Sequence, residues 1–221
     1  MFLRSAFALG CAFAIFAAGC GGSASQTPAQ APAPRELPDH ALSGLAAQHI
    51  VLLPTYSVRI APNLAWSSAV GRPVDVQRTL DADLLAALDE RGLRKVWIFP
   101  EDLAQSYRRN ASYSTDPYGL AEEPLRSSML AVDQRLAEPL ASQLRTLIAL
   151  HEDARLVLAP VELRLEPAGT GGRGVLRLVL LDPRMSVPRW IGEVASDPAP
   201  AYGPVISASI ASKLANLVTA R

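Results

Sequence analysis

Arg155–Ala195, RLVLAPVELRLEPAGTGGRGVLRLVLLDPRMSVPRWIGEVA, decides the architecture. Its first stretch, Arg155 to Glu166, ends in strict alternation, with Val161, Leu163 and Leu165 on one side and Glu162, Arg164 and Glu166 on the other. Period-two patterning of this kind marks a half-buried strand. GTGGRG (Gly169–Gly174) is glycine-rich enough to turn the chain, and Val175 to Leu181 returns as a second strand. Asp182-Pro183 turns again, and Val187 to Ala195 makes a third. Three strands joined by short turns predict an antiparallel meander. GTGGRG is no phosphate cradle, because it lacks the Lys-Ser/Thr ending and leads into a strand where a phosphate loop needs a helix.

Upstream, Gln48 to Val58 (QHIVLLPTYSV) reads as a buried strand in which Pro54 forces an edge or a bulge. Arg59 to Pro73 reads as loop. Asp75 is placed as the N-cap of a helix reaching Arg91, with Val76, Leu80, Leu84 and Leu88 on its apolar face and Gly92 as its left-handed C′ residue. Lys95 to Phe99 (KVWIF) predicts a short strand, and Glu101 to Arg109 a turn or two of helix. Leu120 to Leu150 predicts a long helix, kinked or divided at Pro139, with Leu125, Met129, Val132, Leu136, Leu140, Leu144 and Ile148 on one side. Downstream of the meander, Pro204 to Thr219 predicts a last helix carrying Ile206, Ile210, Leu214 and Val218. Strands before and after helices give an α/β (α+β sandwich) fold, a mixed sheet with a C-terminal antiparallel meander and helices packed on it.

The amino terminus, MFLRSAFALGCAFAIFAAGC, has the parts of an export signal: Arg4, an apolar run from Ser5 to Phe16, and small residues at Ala17-Ala18-Gly19. The apolar run is short for a membrane span, which needs about 20 residues. Phe16-Ala17-Ala18-Gly19-Cys20 resembles the lipobox of bacterial lipoproteins, with Ala17 where that family usually has Leu. The resemblance implies cleavage before Cys20 and lipid, palmitate included, on its sulfur. It also favours the outer membrane over the inner, since no Asp follows the cysteine. Residues 1–19 are then a signal peptide, and residues 20–38 a lipidated cysteine with a Pro-rich linker (GGSASQTPAQAPAPRELP). Residues 39–221 form a single globular domain. As flexible coil the linker spans about 25 Å, or roughly 55 Å as polyproline II.

Composition narrows the chemistry. The 221 residues hold 21 basic and 21 acidic side chains, and loss of residues 1–19 removes only Arg4. No basic stripe exists to neutralise phosphates, so nucleic acid is not an expected partner. Cys20 would be the mature chain's single cysteine, which excludes a disulfide within the domain. His40, His49 and His151 lie far apart in sequence and lack metal-ligand spacing. No serine sits in a GxSxG elbow. Asp81, Asp83, Asp89 and Glu90 read as the solvated face of the first helix, and Glu122 and Glu123 as the opening of the long one. The expectation is a non-enzymatic domain without cofactor or metal. Its candidate recognition loop is Asn110–Gly119 (NASYSTDPYG), with Tyr107, Asn110, Tyr113 and Tyr118, because tyrosine buries large area at small entropic cost.

An early strand ending at Leu53-Pro54, ALDERGL (Ala87–Leu93), KVWIFPEDL (Lys95–Leu103) and ARLVLAPVEL (Ala154–Leu163), followed by meander and helix, resemble the TolB amino-terminal domain and the CsgG-type envelope lipoproteins. The resemblance spans most of residues 45–221. It implies a periplasmic domain without catalytic residues that binds other envelope proteins or assembles with copies of itself. The expected function is that of an envelope accessory acting by protein–protein contact. The alternative is a periplasmic carrier holding an apolar ligand or lipid between helices and sheet.

Overall fold

The computed structural model describes residues 42–151 and 153–220. The expected signal segment, Cys20, the linker and His40 lie outside the described residues. Five strands among the described residues form one mixed sheet: β1 (Ile50–Leu52), β2 (Ser57–Ile60), β3 (Leu156–Ala168), β4 (Gly171–Asp182) and β5 (Val187–Ala195). β3, β4 and β5 are the antiparallel meander. β1 and β2 both run parallel to β3 along its other edge, Ile50 opposite Leu156 and Ser57 opposite Glu162. Among the described residues four α-helices accompany the sheet: α1 (Pro73–Glu90), α2 (Pro100–Arg109), α3 (Leu140–Ala149) and α4 (Pro204–Thr219). No helix among the described residues is long and apolar enough to cross a membrane.

Each face of the sheet buries its own apolar cluster. On one face Ile50, Leu52, Leu158, Leu163, Leu165, Leu176, Leu178 and Leu180 meet Leu80, Leu84 and Leu88 of α1 and Ile206, Ile210 and Leu214 of α4. On the other, Val51, Leu53, Val157, Ala159, Val161, Val179 and Leu181 meet Leu103 of α2, Leu140 and Leu144 of α3, and Leu120, Leu125 and Leu136. Val161 therefore packs opposite Leu163 and Leu165, contrary to the sequence alternation. A register shift between Pro160 and Glu162 against β4 inserts one residue into β3 and exchanges the faces from there on. Beyond α3 the second face carries charge, where Arg164 spans to Glu193 at 2.8 Å and Arg59 to Glu162 at 3.1 Å.

Several expected elements change. The glycine-rich turn shrinks to Gly169-Thr170, and Gly171, Gly172 and Gly174 are strand. Their lack of a side chain serves close packing: a Cβ on Gly171 would sit 2.0 Å from the Ala199 carbonyl oxygen, and one on Gly172 would sit 2.5 Å from the Trp66 ring. α1 starts at Pro73, whose missing N–H suits the first helical position, so Asp75 lies within the first turn and grips the Arg72 guanidinium at 2.7 Å. At its other end Gly92 takes φ 78°, the left-handed conformation expected of it. KVWIF is no strand: Leu93–Lys95 is a 3-10 turn and Ile98 alone bridges to Val51.

The largest correction concerns residues 120–150. A single 3-10 turn covers Glu123–Arg126, and helix begins only at Leu140. Between them the chain follows the sheet. The Arg177 guanidinium donates to the Leu125 and Ser127 carbonyls, the Asp133 N–H to Pro188 and the Leu136 N–H to Ser186. Met129 is 86% exposed and Val132 is exposed as well, so neither joins an apolar face. Glu122, expected to open a helix, is buried with Arg126 3.2 Å away.

Candidate functional site

The strand expected over residues 48–58 breaks at Pro54, and the break builds a site. Along the edge of β3 the Leu53 N–H reaches the Leu158 carbonyl at 3.0 Å and the Tyr56 N–H reaches Pro160 at 3.3 Å. Pro54 has no N–H. Thr55, left out of the ladder, turns both its N–H (2.9 Å) and its hydroxyl (2.6 Å) onto Oδ1 of Asp81 in α1. A backbone donor buried beside a strand must find an acceptor, and here a carboxylate supplies it.

Asp81 is thus not the solvated residue its helix position suggested. Burial pushes its carboxyl up to about 6, with the two hydrogen bonds from Thr55 pulling the other way. Among the described residues nothing donates to its second oxygen. A cleft of about 560 Å³ opens here, lined on α1 by Val74, Gln77, Arg78, Asp81 and Leu85, and across from α1 by Pro100, Glu101 and Tyr118.

Tyr118 brings the tyrosine-rich loop to this cleft. The loop is pinned from below, since the Tyr56 hydroxyl donates to the Pro117 carbonyl at 2.9 Å and the Gln77 amide donates to the Tyr56 carbonyl at 2.6 Å. Burial raises the Tyr56 hydroxyl well above its ordinary value, reinforced by the charges of Glu122, Asp81 and Asp116, so Tyr56 remains a neutral donor. Tyr118 itself is 55% exposed, and partial burial with the charges of Asp81, Glu101 and Asp116 raises its hydroxyl too.

The other expected loop residues separate from it. Asn110 spends its side chain inside the loop, donating to the Ser106 carbonyl at 2.9 Å and accepting from the Tyr113 hydroxyl. It organises the turn after α2 and offers little to a partner. Tyr113 stays exposed. Tyr107, half-buried, lines a hollow of about 10 Å³, room for one water, together with Leu103, Leu147 and His151. Burial lowers the His151 pKa, against the pull of Asp102, so at neutral pH the ring is uncharged. Neither His151 nor His49 lines the Asp81 cleft. No group of three His, Cys, Asp or Glu side chains among the described residues is arranged to hold a metal ion.

Asp81 and Thr55 escaped sequence reasoning for a definite reason. Asp81 borders the stripe of Leu80 and Leu84, and only the position of Thr55, set by β3 a hundred residues on, distinguishes a bordering acid from a solvated one. The one available signal was Pro54 within an apolar run, which announces that a neighbouring backbone donor must go elsewhere.

The sequence matches no protein-family model, and no curated protein matches it. Among solved structures the chain is similar in outline to the PelC dodecamer from Paraburkholderia phytofirmans, with 11% identity and a TM-score of 0.39, over 79% of this chain and 89% of that one. A point variant of the same PelC dodecamer gives 12% identity and a TM-score of 0.33, over 78% and 89%. A likeness this faint says nothing of the chemistry.

Proposed function

We propose that this protein is a lipoprotein, anchored through Cys20 on the periplasmic side of the outer membrane, that works as a non-enzymatic accessory by binding other envelope proteins. The anchor rests on the lipobox-like FAAGC (Phe16–Cys20), and the envelope role draws on the likeness of its punctuation to TolB and CsgG-type domains. The observation that carries the binding role is the cleft between α1 and the tyrosine loop: an exposed Tyr118 stands at a concave surface whose floor is fixed by Thr55, Asp81 and Tyr56. Rigid aromatic residues beside a preformed cleft favour association, because little entropy is lost on contact. Chemistry on a substrate would need an accessible nucleophile beside a base, whereas the one hydroxyl that Asp81 meets, that of Thr55, is buried, and neither His49 nor His151 lines the cleft. The carrier alternative draws less support, because apolar side chains pack both faces of the sheet and the cleft mixes Asp81, Arg78 and Glu101 with its apolar residues.

The test is site-specific photo-crosslinking in intact cells from a probe at position 118. Capture of a defined envelope protein, lost when the probe is moved to exposed Glu90 at the far end of α1, is the expected outcome. Capture of nothing from position 118 would overturn the proposal.

A further inference from the structure

The cleft has a chemical bias that specifies what enters it. Asp81 contributes a carboxylate with one oxygen committed to Thr55 and the other without a hydrogen bond from any described residue. Glu101, at the start of α2, adds a second carboxylate, largely exposed, with only the Arg94 guanidinium at 3.6 Å beside it. The Tyr118 ring lines the same cleft, and Asp116 lies two residues away with its Oδ1 accepting from the Tyr118 N–H at 2.9 Å. Val74, Leu85 and Pro100 supply apolar wall. Two carboxylates, an aromatic face and an aliphatic wall match a long cationic side chain, whose stem needs apolar surface and whose head needs negative charge.

We infer that the cleft receives an arginine or lysine side chain of a partner protein, its cationic head between Asp81 and Glu101 and its stem along Leu85 and Tyr118. The inference rests on the proposed protein-binding role and names the chemistry of the contact. A volume near 560 Å³ lies within the range of ligand clefts, about 300–1,000 Å³, and admits the residues flanking the cation as well as the cation itself. Partial burial makes the attraction count, since a charge withdrawn from water interacts more strongly with an arriving opposite charge. Arg78 is the resident competitor. It lies one turn before Asp81, lines the same cleft, and its charge acts on Tyr118 against those of Asp81, Glu101 and Asp116.

The two basic and acidic walls give variants with opposite signs. The full chain is titrated calorimetrically at pH 7.5 with the peptide Gly-Arg-Gly-Arg-Gly and with its counterpart carrying neutral citrulline in place of arginine. The arginine peptide is expected to bind, and the citrulline peptide at least tenfold more weakly. Asp81→Asn keeps an oxygen for Thr55 and is expected to weaken arginine-peptide binding tenfold or more. Arg78→Gln is expected to tighten it several-fold, and Tyr118→Ala to weaken it several-fold. Asp89→Asn, at the exposed end of α1, is expected to leave it unchanged. The inference fails if the arginine peptide does not bind at millimolar concentration, if citrulline serves equally, if Asp81→Asn binds like the parent, or if Asp89→Asn loses as much. Crosslinking from position 118 that persists in Asp81→Asn would remove this inference and leave the partner-binding role. Asp81-dependent peptide binding without any captured partner would remove the partner-binding role and leave only the cleft's preference for a cationic head.

Discussion

Thr55 and Asp81 exchange a structural debt: a broken strand leaves a spare amide, and a helix carboxylate accepts it at the cost of its own hydration. The cost has a sign. The Asp81 carboxyl ionises near pH 6 in the folded protein and in the ordinary carboxylate range, about 3.9, when unfolded. Between these values the folded state holds the extra proton, so this group's contribution to stability is greatest below about pH 4 and is lost as pH rises through 6. Asp81→Asn, which keeps an acceptor for Thr55 but no charge, is expected to raise stability by about 1–3 kcal/mol at pH 7.5. Below pH 4 the gain should vanish. Urea midpoints at the two pH values measure it, and a lower midpoint for the variant at pH 7.5 contradicts it. Gly171 is constrained by backbone. A methyl there meets the Ala199 carbonyl, which the Gly172 N–H already engages at 3.0 Å, so Gly171→Ala should cost about 1–3 kcal/mol or more in a thermal melt. GTGGRG advertised a turn; that three of its four glycines serve packing depended on Ala199, Trp66 and Ile206, which no local pattern places.

Among the elements, α1, α4 and the meander were legible from their apolar spacing: Gly92 closes α1 as expected and Pro204 opens α4, while α1 starts at Pro73, which read as loop, and not after Asp75. The stretch from Leu120 to Pro139 misleads because its apolar residues recur at helical spacing while its backbone partners lie in the sheet. Arg177, Pro188 and Ser186 satisfy it, and Asp133 takes a left-handed φ of 60° that no helix contains. The two readings differ in what they expect of Met129. In a helix Met129→Gln would remove a core side chain; here it should change stability by no more than about 0.5 kcal/mol. Leu140→Ala, at the true start of α3, should cost about 2–5 kcal/mol. Denaturant titration of the pair decides between them. The KVWIF strand failed for a related reason, since after Leu93–Lys95 turns only Ile98 remains in reach of Val51.

For the molecule as a whole, the proposed attachment and the proposed recognition are separable. Cys20→Ser is expected to abolish palmitate labelling and to move the protein from the membrane to the soluble fraction. The mature domain's stability should be unchanged, and retention of label would place the acyl chain elsewhere. The topology also bears on timing. Ile50 pairs with Leu156, Ser57 with Glu162, and α1 packs on α4, so β1, β2 and α1 lack their main sheet and helix partners until the last third of the chain exists. Contacts this distant in sequence make folding slow. Under the export proposed above, that slowness would be useful: a chain threaded amino terminus first could not close its sheet prematurely, and would stay competent for passage until its carboxyl-terminal helix had crossed.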